Sequence, residues 1–333
     1  MRLTSRQLGA VAAVVTVAIW TSFIIIGRAS AGRTLLPFDI ALLRILGASA
    51  VLLPWGLWLT RAARRAGAPT GSLGGLSPLP LRMTVLCGLF GGPLYAVLCY
   101  AGFFYAPAAH ASVLMPGSLP LWTALLAAVL LRDHITPARA LGLLCIVAGD
   151  LLVGGGSLLA ALNGGEVWKG DLIFMGAAFC WAVYGVLARK FHLDPVQATI
   201  AITAFAFVTY VPLFVLLTQT GVLTTHLGSA PWGEIAFQTL FQGVGSVVIS
   251  GITFVQMVCA FGPVRSTMIT ALVPGLSAMG AVLLLGEPLG WNLLAGLALV
   301  TAGILFGVRA ARPAPANASN LAAACADSSR AGG

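Results

Sequence analysis

The sequence predicts an all-α polytopic membrane protein whose ten transmembrane helices form two inverted five-helix repeats. Three observations support this prediction: the composition is strongly apolar, the second half repeats the first, and the basic residues lie mostly on one side of the membrane. Apolar residues make up 59% of the 333 residues and charged residues only 8%, with a mean hydropathy of +0.98. Such a composition is typical of membrane proteins, and the short loops between the apolar segments leave no room for a separate soluble domain.

Long apolar segments define the individual helices. A hydrocarbon core about 30 Å thick needs roughly 20 apolar residues per helix. Ten segments meet this requirement, and we number the predicted helices 1 to 10 in chain order. Their bounds are 8–27, 38–59, 83–105, 109–131, 138–156, 171–190, 196–218, 235–260, 265–286 and 289–308.

The internal repeat has a constant offset of 154 residues. Four residues of the first half recur at this offset: Pro120/Pro274, Asp133/Glu287, Gly142/Gly296 and Gly149/Gly303. Trp20 and Arg28 at the end of helix 1 recur as Trp181 and Arg189 at the end of helix 6. Because each half holds an odd number of helices, the second copy must insert with the opposite orientation. Such inverted repeats are typical of secondary transporters.

The repeat divides the chain into four parts. Residues 1–156 are the first five-helix repeat, residues 157–170 form an external connection, and residues 171–309 are the second repeat. Residues 310–333 are rich in Ala, Asn, Ser, Pro and Gly and predict a disordered cytoplasmic tail.

The basic residues predict the orientation in the membrane. Of the 18 Lys and Arg residues, 14 flank the helices on the side of the N-terminus, three lie on the other side, and Arg44 falls within helix 2. By the positive-inside rule, both termini are cytoplasmic. We expect a multi-pass protein of the plasma (inner) membrane. The net charge of +9 then reflects topology, and no nucleic-acid partner is expected.

Each repeat also carries one local pattern: a helix with a proline, an acidic residue at its end, and then a glycine-rich helix. The acidic residues stand in Leu-Leu-Arg-Asp133 and Leu-Leu-Gly-Glu287-Pro288. This pattern resembles the EamA-type domain, and two such domains in one chain resemble the drug/metabolite transporter (DMT) superfamily. Arg44 matches a position where that family often has arginine, whereas Asp133 stands where it usually has glutamate.

The resemblance covers about residues 8–309 and implies a ten-helix exporter of amino acids, other metabolites or toxic compounds. It also implies a central cavity lined mainly by helices 1, 3, 4, 6, 8 and 9.

Helix 8 carries a polar stripe of six side chains spaced by three or four residues. They are Gln238, Gln242, Ser246, Ser250, Thr253 and Gln256. Amides and hydroxyls that face lipid are left unsatisfied at a high cost, so the stripe must face protein or water. We expect Gln242 and Ser246 to bind substrate on a cavity wall. Interhelical hydrogen bonding is the alternative.

Aromatic residues are further candidates for substrate binding. They are Trp20 in helix 1, Tyr95 in helix 3, Trp122 in helix 4, and Trp181 and Tyr184 in helix 6. These helices are among those that the resemblance assigns to the cavity. Flat rings bind amphipathic substrates, and their faces attract cations. Ordinary packing is the alternative for each of them.

Five residues are candidates for gating or coupling. Pro120 and Pro274 interrupt equivalent helices, where a proline bends a helix or serves as a gate. Arg44 and Asp150 lie at comparable depth in helices 2 and 5, so they are expected either to form an ion pair or to leave Asp150 as a proton site. His110, near the outer end of helix 4, is a candidate for proton coupling or substrate binding, since histidine is the side chain most often used for proton exchange.

The sequence lacks the motifs of enzymes and of ATP-driven pumps. Neither lysine belongs to a GxxxxGK loop, and no HExxH motif, His/Cys cluster or GxSxG motif occurs. We therefore expect no enzyme activity, no cofactor and no metal. Transport would be driven by a gradient through alternating access of the two halves.

The expected function is secondary active transport, in the export direction, of small metabolites such as amino acids or drug-like compounds. A translocase of lipid-linked or other cargo is one alternative, and an uptake permease is another. The expected partners are the small-molecule substrate and the lipid bilayer. Proton coupling is left open, as are substrate identity and oligomeric state.

Overall fold

A computed structural model of the protein describes residues 5–67 and 71–310. Ten long helices account for most of these residues, and no β-strand occurs in the described part of the chain. In chain order they are α1 Ser5–Ser30, α2 Pro37–Arg65, α3 Leu81–Tyr105, α4 Ala108–Leu131, α5 Pro137–Ala161, α6 Val167–Lys190, α7 Pro195–Gln219, α8 Trp232–Phe261, α9 in two parts (Pro263–Thr270 and Val273–Leu285) and α10 Trp291–Ala310.

These helices confirm the predicted all-α polytopic membrane fold. Within the described residues, nine of them are long and apolar enough to cross a membrane, and α10 has a shorter apolar stretch at Trp291–Gly307. The connection between the halves is shorter than predicted, because α5 continues to Ala161 and α6 begins at Val167. The predicted tail, residues 310–333, lies outside the described residues except for Ala310, the last residue of α10.

Ten helices that alternate in direction place the start of α1 and the end of α10 on the same side. We call this side the terminal face and the other side the opposite face. Local sequence sets several of the helix starts there. Proline is the first residue of α5 and α7, where its missing N–H costs nothing. Thr136 and Asp194 cap these two helices by accepting hydrogen bonds from Arg139 N and Gln197 N.

The helices α4 and α9 end in the same way, at equivalent positions of the repeat. Arg132 and Gly286 both adopt left-handed backbone conformations, with φ of 57° and 68°. The next residue in each case donates a backbone hydrogen bond of 3.2 Å, from Asp133 N to Ala127 O and from Glu287 N to Ala281 O. This helix end is a common one. It places the two acidic side chains equivalently on the two faces of the membrane.

Glycines allow α5 and α10 to cross at backbone contact. A Cβ atom on Gly142 would lie 2.8 Å from Gly303 O, and one on Gly149 would lie 2.7 Å from Gly296 O. The reverse contacts are as close, at 2.5 Å from Gly303 to Gly142 O and 2.8 Å from Gly296 to Gly149 O. Gly142 therefore contacts Gly303, the repeat partner of Gly149, and Gly149 contacts Gly296, the repeat partner of Gly142. A two-fold relation between two antiparallel helices requires this pattern.

Two helices depart from regular α geometry near the middle of the bundle. In α3, a π-helical turn spans Phe90–Leu94 and contains Pro93. In α8, a longer π-helical stretch covers Thr239–Ile249. Such stretches are rare and are often found at functional sites.

A central cavity with aromatic walls and one arginine

A cavity of about 590 Å³ lies at the centre of the bundle, between helices of both halves. Eight helices line it, namely α1, α2, α3, α4, α6, α7, α8 and α9, whereas α5 and α10 supply no lining residue. This set contains all six helices that the resemblance assigned to the cavity and adds α2 and α7. Its volume falls within the usual range for small-molecule sites, about 300–1,000 Å³.

The cavity extends from the middle of the membrane to the terminal face. Its lining includes Pro195, the first residue of α7, which lies at that face. Towards the opposite face, the lining in α1 and α2 ends at Ile24 and Arg44, about two turns before those helices reach that face. The cavity therefore extends towards the terminal face and not towards the opposite face.

Aromatic rings form two walls of the cavity. On one side, Trp20 of α1 stacks on Phe254 of α8, with ring centroids 5.3 Å apart. On the other side, Trp181 of α6 lies 4.8 Å from Tyr95 and 5.2 Å from Tyr184, and all three line the cavity. Trp20 and Trp181 are repeat partners, so each half of the chain supplies one indole ring.

Arg44 brings a positive charge to the cavity wall. Its Nη1 donates a hydrogen bond of 3.0 Å to Ser246 Oγ, and its guanidinium lies 5.6 Å from the ring centre of Phe23. Contacts of 3.5 Å to Tyr100 Oη and Gln242 O are at the limit of hydrogen bonding. None of the described residues that line the cavity is acidic, and no described carboxylate lies within 4.0 Å of the guanidinium.

The polar stripe of α8 divides between the cavity and the helix contacts. Ser246 and Ser250 line the cavity, but Gln238 and Gln242 are buried and do not. Gln242 lies behind the wall, where its Oε1 accepts a 3.0 Å hydrogen bond from Tyr100 Oη. The π-helical stretch explains the division, because its wider turns break the regular spacing from which a single face was expected.

Two more residues of the stripe, and some other candidates, also lie away from the cavity. Thr253 forms a 2.8 Å hydrogen bond with Thr16 of α1, and Gln256 does not line the cavity. Trp122 packs edge-on against Phe179 of α6, with ring centroids 5.4 Å apart. At Thr253 and Trp122, the alternative of contacts between helices therefore fits better than a place on the cavity wall.

The candidate gating prolines differ from each other. Pro274 lies at the start of the second part of α9, just after the break in that helix, and is buried. In contrast, α4 continues through Pro120 without a break. Neither proline lines the cavity, although Pro116, one turn before Pro120, does.

The expected ion pair between Arg44 and Asp150 does not form. Arg44 faces the central cavity, whereas Asp150 belongs to α5, which packs mainly against α10 and α4. Neither oxygen of the buried Asp150 carboxylate has a hydrogen-bond partner among the described residues. Equal depth along two helices therefore did not bring the two side chains together.

His110 has a partner that the sequence did not indicate. Its Nδ1 lies 2.8 Å from Oδ1 of Asp171, a buried residue in the second turn of α6, and Ser157 donates a hydrogen bond to the other oxygen of Asp171. Asp171 could have been noticed as an acidic residue at the start of an apolar segment. Charges in such positions are functional candidates by default.

Glu287 closes the bundle at the opposite face. Its two carboxylate oxygens accept hydrogen bonds of 2.8 Å from Ala108 N and Ala109 N, the first amides of α4. Arg28 adds a 3.6 Å ion pair to Glu287 and donates a 2.7 Å hydrogen bond to Phe103 O. Glu287 and Arg28 together thus connect helices α1, α3, α4 and α9. A negative charge is favourable at the start of a helix.

The equivalent acidic residue at the terminal face has a simpler contact. Asp133 forms a 2.7 Å ion pair with Arg189 of α6. Asp133 and Arg189 are the repeat partners of Glu287 and Arg28, which form the ion pair at the opposite face. The two faces of the bundle therefore hold related ion pairs of different extent.

The architecture and the repeat agree with a match to a known protein family. The EamA-like transporter family model matches the chain twice, at residues 7–155 and 168–309. The chain belongs to the EamA-like transporter family. Family membership makes it an integral multi-pass membrane transporter of the DMT type and not an enzyme.

Curated relatives of this EamA-like protein are named as transporters. The chain is 28% identical over 222 residues to the uncharacterized transporter YyaM of Bacillus subtilis, covering 66% of this chain and 70% of that protein. It is 28% identical to the aromatic amino acid exporter YddG of Ancylobacter novellus, covering 62% and 71% of the two chains. A probable terminal-alkyne amino-acid exporter of Streptantibioticus cattleyicolor is 27% identical, with coverage of 74% and 80%.

A solved crystal structure has the same fold as this EamA-like protein. The two superpose with a TM-score of 0.56 and 22% sequence identity. The match covers 94% of this chain and 100% of the other. Identity this low supports only the likeness of fold.

Proposed function

We propose that the protein is a secondary active exporter of amino acids that carry a large apolar or aromatic side chain. One observation carries this proposal: the Arg44 guanidinium lies without a carboxylate partner on the wall of a cavity that is otherwise lined by aromatic and aliphatic side chains. The guanidinium fits the carboxylate of such an amino acid, and the aromatic rings fit its apolar side chain.

The guanidinium is suited to the carboxylate of the substrate. Its planar fork can donate two parallel hydrogen bonds, and charge-assisted bonds of this kind are about twice as strong as neutral ones. Only one strong hydrogen bond, to Ser246 Oγ, occupies Arg44 among the described residues. The remaining donors are free to bind an anionic group.

The rings are suited to the rest of the molecule. Trp20 and Trp181 offer flat surfaces from the two walls, on which an aromatic or long aliphatic side chain can pack. The faces of these rings, and of Tyr95 and Tyr184, also attract an ammonium group. The amino group of the substrate can therefore bind without an acidic residue, and none of the described residues that line the cavity is acidic.

The relatives support the same substrate class. Two of them are named as exporters of amino acids, one of them specifically of aromatic amino acids. Those names apply to the relatives. For this chain, the separate support for an amino-acid substrate is the Arg44 guanidinium, which can bind a carboxylate. An uptake permease and a translocase of lipid-linked cargo have no comparable support.

The mechanism that we infer is alternating access between the two halves of the chain. The cavity extends towards the terminal face, which the positive-inside rule assigns to the cytoplasm of a cell whose plasma membrane holds the protein. An amino acid enters there and binds. The bundle then closes at the terminal face and opens at the Glu287 contact to release the substrate outside.

Transport by purified protein in liposomes tests this proposal. We expect exchange of radiolabelled tryptophan, inhibited by indole propionate, which keeps the carboxylate, and much less by tryptamine, which lacks it. Replacing Arg44 with Gln should weaken tryptophan binding about 10- to 100-fold, because a charge-assisted pair is lost. It should also abolish the discrimination between the two inhibitors.

The matched control is Thr209→Ala, since Thr209 is exposed on the outer surface of α7 and bonds only within its own helix. This variant should behave like the wild type. If tryptophan does not exchange while fluorescent lipids cross between the leaflets, the proposal is wrong and a lipid translocase replaces it.

A further inference from the structure

A second, small cavity lies away from the central one. It has a volume of about 120 Å³ and is formed by α4, α5 and α6. Its exposed surface is apolar, and Asp150 and Asp171 belong to its lining with their carboxylate oxygens buried behind that surface. Nothing in the proposed substrate site uses this cavity, so its two acids need a separate explanation.

Asp150 is the unusual member of this pair. The residue is 7% exposed, and neither carboxylate oxygen has a hydrogen-bond partner among the described residues. A Cβ atom on Gly117 of α4 would lie 2.8 Å from its Oδ1, so the absence of a side chain there makes room for the carboxyl group. An ionised carboxylate without a partner is very costly in an apolar site, and such a group stays neutral by holding a proton.

Charged groups near Asp150 are few. From α4 the titratable residue near this cavity is His110, and from α6 it is Asp171. From α10 the contact is made by Val300, and the described side chains of that helix include no titratable group. Lys169, at the outer end of α6, is paired with Glu166. No described cation therefore neutralises Asp150.

A polar path leads from this cavity towards the opposite face. Asp171 accepts a hydrogen bond from Ser157 on one oxygen and lies 2.8 Å from His110 Nδ1 on the other. The His110 side chain, in the first turn of α4, is 19% exposed, compared with 6% for that of Asp171. Histidine exchanges protons readily near neutral pH. A Cβ atom on Gly154, one turn after Asp150 in α5, would lie 3.8 Å from Asp171 Oδ2. The His110–Asp171 pair therefore ends about one helical turn from Asp150 and is suited to pass a proton from the opposite face towards it.

The helix α4 connects this cavity to the substrate site. Gly117 faces Asp150, while Met115, Pro116 and Leu119 on the same stretch line the central cavity. Ionising Asp150 would require water or a cation to reach its carboxylate oxygens, which are inaccessible in this conformation, with Oδ1 packed against Gly117. A change of charge at Asp150 must therefore be accompanied by movement of α4, which is also a wall of the substrate cavity.

We propose that Asp150 is the proton-carrying site that couples amino-acid export to a proton gradient, and that His110 and Asp171 connect it to the opposite face. The inference rests on the proposed function for the identity of the cargo. In the described conformation Asp150 holds its proton. This proton enters from the opposite face through His110 and Asp171, and the rearrangement of α4 during the transport cycle releases it to water at the terminal face.

Two measurements on the purified full chain test this proposal. The first is infrared difference spectroscopy between acidic and alkaline pH, which detects the carbonyl band of a protonated carboxylic acid without any substrate. We expect such a band in the wild type and its loss in Asp150→Asn. Glu166→Gln removes an exposed carboxylate near the same face and should leave the band in place. An identical band in Asp150→Asn would overturn the assignment.

The second measurement follows proton movement in liposomes with a pH-sensitive dye enclosed inside. Tryptophan added to the wild type should move protons, whereas Asp150→Asn should move none while still binding tryptophan. His110→Gln should slow the proton movement without abolishing it. Proton movement in Asp150→Asn, or transport by the wild type that follows a sodium gradient alone, would contradict the proposal. If no amino acid binds but the infrared band behaves as expected, the proposed function fails while the proton site remains.

Discussion

At the scale of single residues, Gln242 supports the cavity from behind its wall. Its side-chain Oε1 accepts the hydrogen bond of Tyr100, and Tyr100 is 1% exposed, so the pair lies in the interior of the bundle. Removing the amide leaves the Tyr100 hydroxyl without this acceptor. An unsatisfied buried polar group is destabilising even when it never touches substrate.

We therefore predict that Gln242→Ala lowers the free energy of unfolding by about 1–3 kcal/mol. Thermal denaturation of the protein in detergent measures the loss. Gln256→Ala, on the same helix but with a half-buried side chain that does not line the cavity, is the matched control and should change stability much less. Loss of tryptophan binding with unchanged stability would show instead that Gln242 contacts the substrate.

Arg44 is the second residue whose geometry can be tested directly. Lysine keeps the charge but loses the planar fork that can hold a carboxylate with two hydrogen bonds. We predict that Arg44→Lys weakens tryptophan binding by about tenfold, less than Arg44→Gln, and keeps the preference for carboxylate-bearing ligands. Calorimetric titration of the detergent-solubilised protein measures both effects. Equal losses in the two variants would exclude a role for the charge.

At the scale of helices, the contact of α5 with α10 depends on glycines. A methyl group on Gly149 would lie 2.7 Å from Gly296 O, a backbone atom that cannot move aside. We predict that Gly149→Ala lowers the free energy of unfolding by about 1–3 kcal/mol, and that Gly296→Ala has a similar effect because the contact is reciprocal. Thermal denaturation in detergent measures both.

Gly156→Ala is the control for this prediction. Gly156 belongs to the same helix, and an added Cβ would meet nothing within 4 Å. Alanine is there expected to be tolerated, with a gain of about 0.5–1 kcal/mol from its higher helix propensity. If Gly149→Ala and Gly156→Ala had the same effect, the close helix contact would not explain the glycines.

Apolar length and the repeat were sufficient to predict the helices and their order. They were not sufficient to predict which side chains face the cavity. The stripe on α8 was assigned to one face on regular helical spacing, but the π-helical stretch Thr239–Ile249 turned Gln242 away from the cavity while leaving Ser246 on it. A local change of winding leaves no mark in a pattern of polar residues.

Contacts between distant helices were the other part that the sequence could not provide. Arg44 and Asp150 were compared by depth alone, and depth gives no information about which helices are neighbours. The pairing of His110 with Asp171 joins positions 61 residues apart, and Phe254 meets Trp20 across the two halves of the chain. Such pairs follow from helix packing, which a single sequence does not reveal.

At the scale of the whole molecule, Glu287 holds the opposite face closed. We predict that Glu287→Gln weakens this closure, because the charge that binds the α4 amides and Arg28 is removed. Hydrogen exchange of the amides in the first turn of α4 should become about 10- to 100-fold faster, as measured by mass spectrometry.

Asp133→Asn is the repeat-equivalent control for Glu287→Gln. It alters the ion pair with Arg189 at the terminal face and should leave exchange in the first turn of α4 unchanged. Equal acceleration in the two variants would mean that general loosening of the bundle, and not the Glu287 contact, controls the opposite face.

The two acidic residues of the repeat hold the two faces of the bundle unequally, since Glu287 binds two amides and Arg28 whereas Asp133 binds Arg189. Asp133 is shorter than Glu287 by one carbon–carbon bond, about 1.5 Å, although both follow the same helix end. At the two equivalent positions at the start of α9 there is no free amide for Asp133 to bind, because Gly262 N donates to Val258 O and Pro263 has no N–H. If access alternates as we propose, the empty protein is expected to favour the conformation whose cavity faces the terminal face, and the step that breaks the Glu287 contact is expected to have the higher energy.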